Sequence, residues 1–227
     1  MNLTPMRIAF AAAVLLAAGC ARDLSITAEP AGTAAPARHP LTAAPMSALT
    51  EPGDVAFTCD RDNLYVHFDL TDSDIRNSAW RNGDTLFRKG DALEIFLWPA
   101  GVRPYLEIHV SPNNLATVYF FRAPGVRNLE GNKSVSLEGL KVESIVDGTL
   151  NEEQDRDRRW RGIVTIPFAA IDKVCGKTDR AKPWKLQIAR INYSFGLNDL
   201  ERSQLGGPLT PVPDFHHLPA SRELILP

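Results

Sequence analysis

The sequence has 227 residues, of which 44% are hydrophobic and 23% are charged, so its composition is that of a folded globular protein and argues against a disordered or fibrous chain. The length has room for one ordinary domain with a tail. The 25 basic and 27 acidic residues give a net charge of −2, which leaves no basic excess to neutralise a phosphate backbone, and we expect no nucleic-acid partner.

The first twenty residues have the pattern of an export signal. Arg7 precedes an apolar run from Ile8 to Ala18, which is too short to span a bilayer as a helix but fits the apolar part of a secretory signal. The run leads into Leu16-Ala17-Ala18-Gly19-Cys20, which resembles a bacterial lipoprotein signal. The resemblance implies that residues 1–19 are removed and that Cys20 is lipidated. An ordinary signal peptide with a chance Cys is the alternative.

Lipidation would place the protein in the bacterial cell envelope, because several acyl chains bury enough methylene groups for stable membrane anchoring. The resemblance also implies export to the outer membrane, since Ala21 rather than Asp follows the Cys. Residues 21–45 contain eight Ala, four Pro and no aromatic residue. Such a segment buries too little apolar surface to offset its ordering entropy, so we predict a tether over residues 20–46.

Period-two alternation of apolar and polar residues dominates the chain from residue 54 onward. It predicts strands at 54–59, 64–70, 91–98, 105–110, 115–122, 134–146, 159–166, 184–194 and 222–226. A single short helix is predicted over Phe168–Val174, because Pro167 opens it and Gly176 follows it. Eight or nine short strands with close turns indicate an all-β fold, a two-sheet antiparallel β-sandwich over residues 47–227.

Strands 91–98 and 104–110 are separated by a turn containing Gly101, which predicts a hairpin. With the aliphatic side of each strand inward, the other side carries Glu94, Phe96, Trp98, Tyr105, Glu107 and His109. Rings stack on the apolar faces of pyranoses and carboxylates accept hydrogen bonds from hydroxyl pairs, so this face suits a sugar. Arg190 could hold the carboxylates ionised or donate to the ligand. Alternatively, the rings pack beneath other residues and a glutamate is a buried partner of Arg190.

Five pieces of sequence, in order, resemble carbohydrate-binding module family 9. They are Asn63-Leu64-Tyr65-Val66-His67-Phe68 with Asp72, Gly90-Asp91-Ala92-Leu93-Glu94-Ile95-Phe96-Leu97, Tyr105-Leu106-Glu107-Ile108-His109-Val110-Ser111-Pro112, Trp160 with Ile166-Pro167-Phe168, and Trp184 with Ala189-Arg190-Ile191-Asn192; Asp214-Phe215-His216 follows. The resemblance covers residues 47–227. It implies a β-sandwich that binds sugars, in a family whose members are commonly attached to enzymes that degrade plant polysaccharides.

The resemblance also assigns roles to particular positions. Glu94 falls on a glutamate that hydrogen-bonds the sugar in the family, and Phe87 falls near the first of two tryptophans that sandwich it. The second tryptophan has no counterpart, because this chain has Glu201-Arg202-Ser203-Gln204 there. We therefore expect a lipid-anchored, non-catalytic carbohydrate-binding protein that contributes to polysaccharide breakdown or capture, with Glu94, Glu107, Arg190, Phe87 and Trp98 at its site. The alternative is a structural or protein-interaction lipoprotein that has lost sugar binding.

Two further groups of residues leave alternatives open. Asp69, Asp72 and Asp74 are closely spaced oxygen ligands that could hold a structural calcium ion, or they form a turn rich in Asp. Cys59 and Cys175 could form a disulfide in an exported protein, or could be small buried residues.

Catalytic motifs are lacking in the sequence. It has no Gly-x-Ser-x-Gly elbow, no His-Glu-x-x-His pair and no glycine-rich phosphate loop, so we expect neither an enzyme nor a cofactor other than calcium.

Overall fold

The computed structural model describes residues 25–126, 134–194, 200–207 and 210–227. These residues form a β-sandwich of two sheets with one α-helix, as the sequence predicts. The predicted signal peptide and Cys20 lie outside the described residues.

The elements follow one another along the chain with short connections. The strands are β1 (Ser25–Thr27), β2 (Glu29–Pro30), β3 (His39–Pro40), β4 (Thr42–Ala43), β5 (Gly53–Cys59), β6 (Asn63–Thr71), β7 (Ala92–Trp98), β8 (Tyr105–Val110), β9 (Ala116–Phe121), β10 (Lys141–Asp147), β11 (Arg159–Pro167), β12 (Trp184–Asn192), β13 (Glu201–Gln204) and β14 (Arg222–Ile225). The helix α1 is Phe168–Cys175, and short 3-10 turns occur at Leu86–Arg88 and Leu218–Ala220.

The first sheet has the order β1-β14-β12-β7-β8-β9, with β13 also beside β12 and β4 beside β13. The second sheet has the order β10-β11-β6-β5-β2, with β3 also beside β5. Neighbouring strands are antiparallel except in the pairs β1–β14 and β2–β5, which are parallel. Those two exceptions both involve strands that the sequence analysis did not predict.

The core lies between the two sheets and follows from the alternation of side chains along the strands. Leu93, Ile95 and Leu97 of β7 belong to it and are fully buried, together with Trp160 of β11 and Trp184 of β12. Helix α1 starts after Pro167 and ends at Gly176, whose φ of +96° is the left-handed conformation that glycine adopts most easily. No helix in the described part of the chain is long and apolar enough to cross a membrane.

The predicted tether over residues 20–46 does not match the structure from Ser25 onward. Strands β1 to β4 lie in this segment and pair with β14, β5 and β13. Ile26 and Leu41 are buried in the common core, which stabilises the attachment by about 1.5–3 kcal/mol for each side chain. A segment rich in Ala and Pro thus orders because sheet edges supply hydrogen-bond partners that its own composition does not reveal.

The two cysteines of the domain are free thiols rather than a disulfide. Both are buried, Cys59 at the end of β5 and Cys175 at the end of α1, and both pack within the hydrophobic core. Burial raises the pKa of the Cys175 thiol to about 12, so it stays protonated. The sequence left open a disulfide or two small buried residues, and the structure shows the second.

Arg190 lies on the opposite face of the first sheet from the one that the sequence analysis expected. The register places Ala189 opposite Glu94 and Arg190 opposite Leu93, so the guanidinium points into the interior between the sheets. There it is fully buried and donates to the backbone oxygens of Glu51 and Thr71 at 2.8 and 2.6 Å. Its ion pair with Asp72 measures 3.1 Å.

Arg190 is the cation of a buried polar network at one end of the sandwich. Ser194 donates to the carboxylates of Asp72 and Glu51 at 2.9 and 2.5 Å, and Asn192 donates to Glu51 at 2.6 Å. Burial raises the pKa of Asp72 despite the ion pair, whereas hydrogen bonds from Ser194 and its neighbours lower the pKa of Glu51 in spite of burial. The network joins β12 to the segments that flank β5 and β6.

Asp69, Asp72 and Asp74 do not converge as calcium ligands. Each carboxylate contacts a different arginine: Asp69 is 3.4 Å from Arg159, Asp72 pairs with Arg190, and Asp74 is 2.6 Å from Arg76. In the described residues, these aspartates are not part of any group of metal-ligating side chains with mutually close ligand atoms. The arginines neutralise the charge that would attract a cation to this turn.

Replacing Arg190 by Met is expected to lower the free energy of unfolding by about 3–5 kcal/mol, because Asp72 remains buried without its cation. The control Arg61→Met removes an ion pair with Asp62 at the surface, where the Arg61 side chain is 91% exposed. It should lower the free energy of unfolding by less than about 1 kcal/mol. Urea denaturation of the three proteins measures both changes. Equal, small losses of unfolding free energy in the two variants would show that Arg190 does not stabilise the fold by neutralising Asp72.

Candidate functional site

The hairpin of β7 and β8 carries the polar face that the sequence predicts. In its register Glu94 lies opposite His109 and Phe96 lies opposite Glu107. The strand on the other side of β7 places the small Ala189 beside Glu94. The two glutamates and the histidine therefore lie next to one another on the face that points away from the core between the sheets.

Most of the aromatic residues on this face are buried. Phe96, Trp98, Tyr105 and Phe121 form a separate cluster, in which the ring centroids of Trp98 and Tyr105 are 5.1 Å apart and those of Tyr105 and Phe121 are 4.5 Å apart. The C-terminal segment covers the cluster with Phe215, Leu218 and His216. Trp98 is only 6% exposed and does not line the cavity described next, so it is not available as a sugar-stacking ring.

A cavity of about 370 Å³ remains open where the C-terminal segment leaves the face uncovered. We call it the face pocket; its lining residues come from β7, β8, β12, β13, the turn at Phe87 and the C-terminal segment, and are Phe87, Glu94, Phe96, Glu107, Ile191, Tyr193, Leu200, Arg202, Pro213, Phe215 and His216. Its volume is within the range of small-molecule sites. It contains three of the five residues proposed from the sequence, namely Glu94, Glu107 and Phe87.

Glu94 forms the floor of the face pocket. Only 5% of the residue is exposed, and its one ion-pair contact with the described residues is to Nε2 of His109 at 3.5 Å. No described residue donates a hydrogen bond to it. Burial raises the pKa of Glu94 to about 7, with a further upward contribution from Glu107 that His109 opposes. Within the described part of the chain, the carboxyl group thus lacks the donors that a buried carboxylate normally has.

Glu107 is held by two histidines. Nε2 of His109 is 2.6 Å from one of its oxygens, and Nε2 of His216 is 3.7 Å from the other. His109 is fully buried between the rings of Phe87 and Tyr119, and its Nδ1 has no hydrogen-bond partner. Burial lowers the pKa of His109, but the charges of Glu94 and Glu107 outweigh burial and the pKa is raised overall.

Half-buried rings form the walls of the face pocket. Phe87 is fixed through its backbone oxygen, which accepts a hydrogen bond from the hydroxyl of Tyr193 at 2.7 Å. Tyr193 itself and Phe215 supply two more rings. Arg202 lines the pocket on β13, in the stretch where the family resemblance leads one to expect a tryptophan. The pocket therefore offers rings, a hydrogen-bond acceptor and a guanidinium donor.

Sequence reasoning missed Tyr193, Arg202 and Phe215. The alternation along β12 could have placed Tyr193 on the same face as Ala189, and Phe215 lies in one of the pieces that carry the family resemblance. Arg202 gave no signal, because β13 is only four residues long and was not predicted.

Two larger cavities offer fewer free rings. Among the described residues, no charged or aromatic side chain lines the cavity of about 500 Å³ beside β9. The other, of about 610 Å³ near the C-terminus, has a carboxylate and two guanidinium groups, but its one ring, Phe168, is covered by the guanidinium of Arg180 at 4.8 Å. The face pocket is therefore the candidate site, although it is the smallest of the three.

The chain is similar in fold to solved structures described as carbohydrate-binding. A candidate carbohydrate-binding protein from Bacteroides uniformis ATCC 8492 matches with a TM-score of 0.71 and 14% identity, over 89% of this chain and 99% of that chain. A family 9 carbohydrate-binding module from Caldicellulosiruptor kristjanssonii in complex with cellotriose matches with a TM-score of 0.59 and 11% identity, over 89% and 93% of the two chains.

A family 9 module from the same organism in complex with glucose gives a TM-score of 0.56 and 11% identity, over 89% and 95% of the two chains. No protein-family model matches the chain, and no curated protein shows significant sequence similarity to it. At these identities the similarity establishes the fold, which is that of a family 9-like β-sandwich.

The raised pKa of Glu94 predicts that stability depends on pH. The folded protein keeps the Glu94 proton up to about pH 7, whereas the unfolded chain releases it near the ordinary 4.5. The free energy of unfolding should therefore fall as pH rises from about 4.5 to 7, by roughly 3 kcal/mol from this group. The raised pKa of His109 acts in the same direction.

Urea denaturation at pH 5 and pH 8 measures this dependence. A chelator in both solutions removes metal ions, so that protonation is the only way to neutralise Glu94. Glu94→Gln keeps the shape of the side chain but cannot titrate. The free energy of unfolding of this variant should therefore differ much less between the two pH values. Glu138→Gln is the control, because the side chain of Glu138 is 80% exposed. A pH dependence unchanged by Glu94→Gln would show that Glu94 titrates normally.

Proposed function

We propose that the protein is a non-catalytic carbohydrate-binding protein and that the face pocket holds the saccharide. The observation that carries this proposal is the Glu94 carboxyl group, which lies at the floor of a pocket with no hydrogen-bond donor of the described chain directed at it. A buried carboxylate without donors is costly, and a ligand with hydroxyl groups supplies them. The solved structures of similar fold support the same ligand class.

The walls of the face pocket fit the apolar C–H face of a sugar ring. Phe87, Tyr193 and Phe215 are half-buried, so each keeps ring surface on which the C–H face of a pyranose can stack. Arg202 supplies donors for ring or hydroxyl oxygens of the sugar. The sugar would thus meet Phe87 in place of one of the two tryptophans that the family resemblance implies, and Arg202 at the position of the other.

Membrane attachment through Cys20 is the second part of the proposal. It is supported by the sequence Leu16-Ala17-Ala18-Gly19-Cys20. Because β1 begins at Ser25, five residues after Cys20, an extended connection would be about 17 Å long at most. The sandwich would therefore lie close to the membrane surface in the bacterial cell envelope, and would hold polysaccharide fragments there for capture or breakdown by a partner enzyme.

Isothermal titration with a panel of neutral monosaccharides and with gluco-, manno- and xylo-oligosaccharides tests sugar binding. At least one saccharide should bind, and Phe87→Ala should weaken it by about 1–3 kcal/mol, which is roughly 5- to 150-fold. Glu94→Gln should also weaken it, because an amide accepts fewer hydrogen bonds than a carboxylate.

Two control variants match these changes outside the pocket. Tyr65→Ala removes a half-buried ring from β6 in the second sheet, and Glu138→Gln removes an exposed carboxylate. Neither should alter saccharide affinity. Absence of binding to every saccharide would reject the proposal and favour a protein-interaction module, and cleavage of an oligosaccharide in the same solutions would reject the non-catalytic part.

Expression of the full chain in a Gram-negative bacterium tests the lipid anchor. The protein should partition into the detergent phase of a Triton X-114 extraction, and Cys20→Ser should shift it to the aqueous phase, because the acylated thiol is lost. Cys59→Ser is the control, since Cys59 is a buried free thiol. Equal partitioning of the protein and its Cys20→Ser variant would contradict lipidation at this residue.

A further inference from the structure

We propose that Glu94, Glu107 and His109 form a binding site for a divalent transition-metal cation at the floor of the face pocket. The inference goes beyond saccharide binding, because it concerns an ion that the three side chains would hold without any sugar present.

The three side chains converge because of the strand register. Glu94 lies opposite His109 across the β7–β8 ladder, and Glu107 precedes His109 by two residues on the same face. One ligand atom from each residue lies within 4.8 Å of the other two. The distances from Nε2 of His109 are 2.6 Å to Glu107 and 3.5 Å to Glu94.

One of these two distances matches the spacing of ligand atoms in a metal centre, and the other is that of a hydrogen bond. With metal–ligand bonds of about 2.0–2.2 Å in tetrahedral geometry, neighbouring ligand atoms are about 3.3–3.5 Å apart. Small side-chain rotations would bring Glu107 from 2.6 Å to that separation, and the backbone of both strands would stay in place. The ligands project from two paired strands rather than from loops, which favours a fixed geometry.

The charge balance of the site also calls for a cation. Glu94, Glu107 and His109 are 5%, 8% and 0% exposed, so two largely buried carboxylates share one fully buried imidazole. The carboxyl group of Glu94 lines the pocket and receives no hydrogen bond from the residues that the structure describes.

The charged and titratable groups that face the cluster from other elements do not supply this cation directly. Arg202 of β13 lines the pocket, but the hydrogen bond that its guanidinium donates goes to the backbone oxygen of Leu200. The guanidinium of Arg88 lies over the ring of Phe87 at 5.6 Å. His216 approaches only Glu107, at 3.7 Å, while its Nδ1 is 3.0 Å from the hydroxyl of Tyr105.

The donor set indicates the class of ion. Calcium and magnesium prefer oxygen ligands, whereas an imidazole together with carboxylates suits zinc and other first-row transition metals. The remaining coordination position would open into the face pocket, where His216 or a saccharide hydroxyl can reach it.

One feature limits the expected affinity. A metal-bound histidine usually donates its second ring N–H to an acceptor, which orients the ring, but Nδ1 of His109 has no partner. The rings of Phe87 and Tyr119 hold the imidazole in place by packing alone. We therefore expect weaker binding than at structural zinc sites.

Isothermal titration of the untagged protein with ZnCl₂, after removal of metal with EDTA and dialysis, tests the inference. One Zn²⁺ should bind per chain, and Glu94→Gln and His109→Gln should each weaken it by at least about tenfold, since loss of even a supporting residue has an effect of that size. Glu138→Gln and His217→Gln are the matched controls and should leave binding unchanged. CaCl₂ should produce no comparable binding.

Circular dichroism and thermal midpoints establish that each variant is folded, and Glu107→Gln replaces His109→Gln if the latter does not fold. Absence of Zn²⁺ binding, or binding that is unaltered by Glu94→Gln and by the second ligand variant, overturns the inference. Saccharide titrations of the same samples separate the two proposals: sugar binding without Zn²⁺ binding rejects only the metal site, and Zn²⁺ binding without sugar binding rejects only the proposed function.

Discussion

The position of β7 between β8 and β12 is the constraint on which the site depends. Side chains alternate along a strand, so the residues of β7 that fill the core leave Glu94 and Phe96 on the other face of the same sheet. On that face the two neighbours of Glu94 are Ala189 and His109, a small residue and an imidazole. The pairing of β7 with β8 and β12 thus leaves space for a ligand and also buries the carboxyl group of Glu94.

A second buried group of charges connects this site to the stability of the fold. Arg190 lies on the core side of β12 and pairs with Asp72, while Asp91 at the start of β7 accepts hydrogen bonds from the backbone of Arg76 and Tyr193 at 2.7 and 2.8 Å. Burial, and then the charge of Asp72, raise the pKa of Asp91 well above its usual value.

The hydroxyl of Tyr193 also donates a hydrogen bond to the backbone oxygen of Phe87. The interior network therefore fixes the end of β12 and the turn that together form one wall of the face pocket.

The sequence was sufficient for the parts of the fold that alternation controls. The hairpin of β7 and β8 and the shared face of Glu94, Glu107 and His109 follow from period-two patterns in consecutive strands, and the helix at Phe168 follows from its flanking Pro and Gly. The predicted strand over residues 134–146 was too long, because the regular ladder with β11 begins only at Lys141.

The parts that could not be predicted depend on partners distant in the chain. Residues 25–44 have the composition of a tether, yet they order because β5, β13 and β14 offer free edges. Arg190 was assigned to the wrong face because a charged residue was not expected in the core, although it alternates in step with Leu186 and Ile188 along β12. Whether Trp98 was exposed depended on Phe215 and Leu218, more than a hundred residues later, which cover its cluster.

The central claim is that a saccharide binds over Glu94 between the rings of the face pocket. A crystal structure of the protein with the saccharide that binds best in solution tests it most directly. We predict a pyranose whose hydroxyl groups lie within hydrogen-bond distance of the Glu94 carboxylate and whose C–H face contacts Phe87. A saccharide seated elsewhere on the sandwich, with the face pocket filled by water alone, would contradict the claim.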